Sequence, residues 1–175
     1  MGERDLVSQV LINNFKATLH FARVFMKPGK PTTFLSVPRR SNLTITNDSN
    51  QETVLVFCLP GNPVSCYVTT HLFILPMLRK LDLKTPEEWC FPTIHVQLLH
   101  PVKLGDRPDY RRAKLVWKQN RESTQPSVPC ASCELMGNQM SSRLASCLNS
   151  NLLLVLPAVV NGGLQEIPAN SMSVR

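Results

Sequence analysis

Lys27 and Lys30, set three apart across a proline and a glycine in "MKPGKP", are a residue pair whose spacing suits anion chemistry. A turn at Pro28-Gly29 can aim both ammonium groups at one point. Held together they repel unless an anion lies between them, and each contact to that anion is worth about 4 kcal/mol at 4 Å and an effective dielectric of 20. The same spacing also suits two solvated lysines on a loop. A second candidate is "LPGNPVS", where Pro60, Gly61, Asn62 and Pro63 separate two apolar runs and Ser65 follows. Asn62 is a good N-cap and Pro63 suits a first helical turn. A helix start behind a strand attracts anions, although it also serves simply to begin a core helix.

Two further segments offer polar groups. "GDRPDYRRAKL" carries Arg107, Arg111 and Arg112. On a strand Arg111 and Arg112 point to opposite faces, so at most one of them is expected at any single site. "GNQMSSRL" supplies amides and the hydroxyls of Ser141 and Ser142, fit either for an anion or for a helix cap. The four histidines lie in apolar or strand contexts, and no serine or cysteine is framed as a nucleophile with its base. An enzyme built on these residues works by positioning and charge stabilisation.

Composition narrows the partners. The 175 residues are 43% apolar and 18% charged, with a net charge of +7, which favours anionic ligands. Aromatics make up only 6% and do not interleave with the basic residues, which argues against nucleic acid and for a small anion. Pro76, His71 and Thr69-Thr70 interrupt the longest apolar stretch, so membrane insertion is not expected. The six cysteines contain one close pair, "CASC" at 130–133, without the second pair that a zinc site needs. They read as reduced thiols of a soluble, cytoplasmic protein.

The elements that must position these residues follow from periodicity. Asp5–Asn13 reads as a short helix with Asp5 near its N-cap, and 19–26 and 32–37 read as strands. Val54–Leu59 is continuous and β-branched, which predicts a strand buried on both faces, followed by a mostly buried helix over Val64–Leu81. Past a boundary near 86–92, strands are expected at 93–104, 110–118 and 152–156, with a polar loop over 119–136. The fold class is therefore α/β over residues 1–88, with too few strands for a complete sheet, and a small mainly-β barrel or sandwich over 89–175.

Taken in order, "MGERD", "VFMKPGKPTTF", "LPGNPVS", "RPDYRRAKL" and "GNQMSSRL" resemble the molybdopterin molybdotransferase family, which comprises bacterial MoeA proteins, their plant counterparts and the E domain of gephyrin. The likeness spans nearly the whole chain, is closest to the gephyrin-like animal branch, and covers the C-terminal portion of the family pattern. It implies an incomplete MogA-like three-layer domain followed by the β-rich domain. It also implies an enzyme, here as a fragment, that inserts molybdate into adenylylated molybdopterin with the help of Mg2+ and releases AMP. Carried over, Asp5 is the metal-associated acid, and Asp5, Lys27 and Lys30 are the catalytic set. Lys27, Lys30, Arg112 and Ser141 approach the molybdate, while Pro60, Gly61, Asn62, Pro63 and Ser65 shape the pocket. The family further implies a homodimer for the full-length protein. Two alternatives stand beside the enzyme: a scaffold binding inhibitory-receptor loops around Tyr110 and Pro157, and an inactive remnant.

Overall fold

A computed structural model of the chain describes residues 6–39, 53–118, 130–159, 163, 165–169 and 172–174. Asp5, expected near a helix cap and a metal, lies outside the described residues. Helix α1 spans Val7–Phe15 and starts at Leu6 with no side-chain cap. It buries none of its residues, and Val7, Val10 and Phe15 stay exposed. Strands β1 (Thr18–Ala22), β2 (Thr33–Pro38) and β3 (Thr53–Cys58) form an antiparallel sheet in the order β1-β2-β3. β1 is shorter than its apolar pattern suggests. Arg23 takes a left-handed backbone, and the chain leaves the sheet there to enter the lysine turn.

The expectation that Val54–Leu59 is buried on both faces is overturned. β3 is the edge of this sheet, pairs only with β2 among the described residues, and leaves Val54 49% exposed. Apolar composition reports what a strand can bury, not how many neighbours cover it.

Asn62 then opens a helical run, α2 (Pro63–Thr69), a π turn (Thr70–Ile74) and α3 (Leu75–Leu81). The π turn, in which the Leu75 N–H reaches back to the Thr70 carbonyl, directly precedes Pro76, which has no N–H to donate. Only the first part of this run is buried: Val64, Ser65, Val68 and Thr69 are in the core, whereas α3 buries none. Helix α4 (Pro86–Trp89) follows.

Beyond it lie β4 (Val96–Leu98), β5 (Val102–Lys103), β6 (Asp109–Lys118), β7 (Cys130–Leu135), a 3-10 turn (Leu144–Cys147), β8 (Leu152–Leu156), β9 (Glu166–Ile167) and β10 (Met172–Val174). The main sheet runs β10-β4-β7-β6-β8, with β5 and β9 paired separately. Its terminal strands β10 and β8 approach one another, so the sheet curls towards a barrel, with no hydrogen-bonded pairing of the two among the described residues. Strand β7 occupies part of the expected 119–136 loop. Its residues pair with β6 from Ala113↔Leu135 to Lys118↔Cys130 and with β4 in parallel. Val96, Leu98, Val102, Ala113, Cys133, Leu154, Leu156 and Ile167 make its core, and burial pushes the Cys133 thiol pKa up. On the other side of β6 and β8, Tyr110 and Leu153 pack against Met26, Val64 and Val68. That contact brings α2 and the lysine turn against the second sheet.

Candidate functional site: a cationic cleft between two sheets

The lysine turn is stitched to the start of β6 by its own backbone. The Lys27 N–H donates to the Pro108 carbonyl at 2.8 Å, and the Tyr110 N–H donates to the Lys27 carbonyl at 2.7 Å. Arg107 Nη1 adds a bond to the Met26 carbonyl at 3.3 Å. Within the turn the Lys27–Pro28 peptide is cis and Gly29 has φ +118°, while the Thr32 hydroxyl donates to the Gly29 carbonyl at 2.7 Å. Gly29 is needed here, because a Cβ would lie 2.6 Å from the Thr69 methyl of α2.

Between this turn and the 137–142 loop opens a cleft of about 710 Å³. It gathers Lys27, Lys30, Asn62, Ser65, Arg112 and Ser141 from distant parts of the sequence, together with Arg107, Arg111, Asp109 and Gln139. Pro60, Gly61 and Pro63 do not line it. Pro60 is buried, while Gly61 and Pro63 are exposed. Five cationic side chains against the single carboxylate of Asp109, counted among the described lining residues, make the cleft a place for a multiply charged anion.

Two details differ from expectation. Arg111 and Arg112 both line the cleft, although they leave β6 on opposite faces. The cleft meets β6 at its beginning, where Asp109, Arg111 and Arg112 follow one another closely enough to reach it from either face. Arg111 folds back along its own face, with Nε 2.9 Å from Asp109 Oδ2 and Nη2 2.9 Å from the Lys103 carbonyl. Arg112 turns the other way and is 1% exposed. Its Nε and Nη2 donate to Ser146 Oγ at 3.2 and 3.0 Å, and Nη2 also donates to the Asn138 carbonyl at 3.1 Å. Burial lowers its pKa, while Cys147 and Asp109 act the other way. Arg112 therefore ties down the 137–146 segment as well as charging the cleft.

The second difference concerns the start of α2. Asn62 occupies the cap position but makes no capping bond. Its Nδ2 instead donates to Ser141 Oγ at 3.0 Å, and the Val64 N–H is taken by the Ser141 carbonyl at 3.0 Å. The helix end binds a loop rather than standing open.

Asp109 and Gln139 were not singled out by the sequence pattern. Asp109, 5% exposed, pairs with Arg111 and stands 3.9 Å from Lys27 Nζ. The signal for the first pair was present, since residues two apart on a strand share a face. Gln139 makes a fork on the Arg112 backbone, accepting its N–H at 3.1 Å and donating to its carbonyl at 2.9 Å. No local feature of "GNQMSSRL" announces that bond.

A second, more apolar cavity of about 490 Å³ lies between Tyr67, His71, Phe91, Tyr110, Leu153 and Val155. Burial raises the Tyr67 pKa, and Cys147 adds to the shift. Pro157, expected with Tyr110, is exposed and does not line this cavity. No helix among the described residues is long and apolar enough to cross a membrane.

Residues 1–80 match a family described as a probable molybdopterin binding domain. The chain is 40% identical over 164 residues to gephyrin of Dictyostelium discoideum, covering 90% of this chain and 22% of that protein. It is 34% identical over 158 residues to the molybdenum cofactor synthesis protein cinnamon of Drosophila melanogaster, again covering 90% of this chain and 22% of that one. The chain thus spans about a fifth of the length of these relatives. A crystal structure of the molybdopterin biosynthesis MoeA protein of Pyrococcus horikoshii superposes with a TM-score of 0.60 over 97% of this chain and 34% of that one. At 19% identity that likeness shows the fold.

Proposed function

Because the chain belongs to the gephyrin- and MoeA-like family, we propose that its cleft receives molybdate as part of a molybdopterin molybdotransferase acting in molybdenum cofactor biosynthesis. The observation that carries this reading is the convergence of Lys27, Lys30, Ser65, Arg112 and Ser141 on one cleft from the lysine turn, α2, β6 and the 137–142 loop. Molybdate is a tetrahedral dianion that can only accept hydrogen bonds at neutral pH. The lysine ammonium groups neutralise it, the Arg112 charge acts on it through a buried, weakly screened environment, and the serine hydroxyls orient it. In this reading the second substrate is adenylylated molybdopterin, AMP is released, and the protein works in the cytoplasm as a homodimer when full length.

The Mg2+ implied by the family finds no fitting site among the described residues. A hard cation needs several free oxygen ligands, whereas Asp109 is committed to Arg111 and approached by Lys27. Asp5 remains the proposed metal residue and lies outside the described residues. The side chains of the cleft bind, neutralise and orient the oxoanion without calling on a metal.

Equilibrium dialysis of the chain against molybdate tests the proposal. Lys27→Ala should weaken binding about tenfold, the loss of roughly one charge-assisted contact. Its effect on stability should stay below about 0.5 kcal/mol, because Lys27 is a loop residue whose side chain is 57% exposed. Unchanged affinity in Lys27→Ala would return it to a solvated loop residue.

A second reading, binding of a receptor loop, is supported by one observation: Tyr110 lines the apolar cavity rather than the cationic cleft. A peptide with an aromatic side chain that bound the chain and was lost with Tyr110→Ala, while molybdate binding persisted, would favour it.

A further inference from the structure

We infer that Asn62 is a positioning residue for the oxoanion site, acting by turning the Ser141 hydroxyl so that its proton points into the cleft. The inference rests on the molybdate reading above and deepens it. A serine hydroxyl has one proton to give and lone pairs that accept. Asn62 Nδ2 donates to Ser141 Oγ at 3.0 Å, so the bond to Asn62 uses a lone pair and leaves the proton free. Both residues line the cleft, where the cationic side chains favour an anion that only accepts.

The direction of that one bond matters. If Ser141 spent its proton on residue 62, only oxygen lone pairs would face the anion, and the contact would turn from attractive to repulsive. Several bonds hold the loop backbone around Ser141 while leaving its hydroxyl able to turn. The Ser141 carbonyl accepts the Val64 N–H at 3.0 Å, the Met140 N–H donates to Asn138 Oδ1 at 2.9 Å, and Gln139 Nε2 holds the Met136 carbonyl at 2.7 Å and the Arg112 carbonyl at 2.9 Å. Asn62 does not cap its helix, so its amide is free for this task.

Two measurements on the chain separate the hydrogen bond from its use. The first needs no ligand: hydrogen exchange of the Asn62 side-chain amide, followed by NMR, should accelerate about threefold to tenfold in Ser141→Ala, the range for loss of one modest hydrogen bond. Unchanged exchange overturns the inference. The second is a double-mutant cycle on molybdate affinity. Asn62→Ala should weaken binding about threefold in the unmodified chain and leave it unchanged in the Ser141→Ala background. Asn62→Asp, which accepts the Ser141 proton instead of donating, should weaken binding at least about tenfold, with a smaller loss once Ser141 is alanine. Equal losses in both backgrounds show that residue 62 acts on the anion directly or by fold alone, and overturn the inference. If the unmodified chain fails to bind molybdate, the oxoanion reading falls and this use of Ser141 falls with it. Normal molybdate binding with an additive cycle removes the positioning role only.

Discussion

Replacing Gly29 by alanine should disturb the lysine turn and the helix beneath it together. The backbone there has φ +118°, a region that side chains rarely adopt, and the strain of forcing alanine into it is about 1–3 kcal/mol. The new methyl would also lie 2.6 Å from Thr69 Cγ2 and 3.3 Å from Met26 Cε. Met26 can move aside, since a thioether chain is flexible. Thr69 cannot: it is fully buried, β-branched within a helix, and its hydroxyl donates to the Ser65 carbonyl at 2.8 Å. Overpacking of this kind adds about 1–3 kcal/mol, so the whole loss is about 2–6 kcal/mol. Thr69→Ser supplies the control, because it keeps the bond to Ser65 and deletes only the obstructing methyl. Alone it should cost about 1 kcal/mol. Combined with Gly29→Ala it should recover about 1–3 kcal/mol of the loss, a coupling visible in urea unfolding followed by circular dichroism. A Gly29→Ala variant within about 0.5 kcal/mol of the parent, or strict additivity with Thr69→Ser, would refute the close approach of turn and helix.

Ser132 is fully buried on β7, and its hydroxyl has no hydrogen-bond partner among the described residues; Ser132→Ala should therefore raise stability by up to about 1 kcal/mol in the same unfolding assay, whereas a loss of that size would mean that the hydroxyl is satisfied. The Glu88 carboxyl is held below its ordinary range first by the Thr85 backbone N–H and then by the Thr85 hydroxyl, each 3.0 Å away. Its folded pKa is depressed, so the stabilisation is present above the unfolded value, about 4.3, and is lost as pH falls through the folded value. A carboxyl 13C titration should show the low value and only a partial return in Thr85→Ala, and a titration at the ordinary value would contradict the two bonds.

Much of the site was legible because its pieces carry local signatures. The lysine turn, the Gly-Asn-Pro loop and the serine segment each declare a backbone conformation, and each contributes to one cleft. What escaped was non-local. β3 reads as a fully covered strand because Val54–Leu59 is uniformly apolar, yet an edge position leaves part of it exposed. β7 hides in "CASCEL", whose small and polar residues lack a clean alternation; it is a strand because β6 and β4 pair with it on both sides. The Asp109–Lys27 approach depends on the parallel bridge between those residues, and the Gln139 fork depends on Arg112 being brought opposite it. The faces of Arg111 and Arg112 followed from strand geometry, but the position of the cleft at the start of β6, where both side chains reach it, did not.

Crystals of the chain grown with molybdate and examined by anomalous scattering from molybdenum would show whether the cleft between the two sheets holds the oxoanion. A peak is expected inside the cleft, among Lys27, Lys30, Ser65 and Ser141 and beside the buried Arg112, and it should weaken or disappear in Lys27→Ala. A saturating soak that leaves the cleft without a molybdenum peak, or one that places the peak elsewhere and leaves it unchanged in Lys27→Ala, would rule out molybdate binding in this cleft.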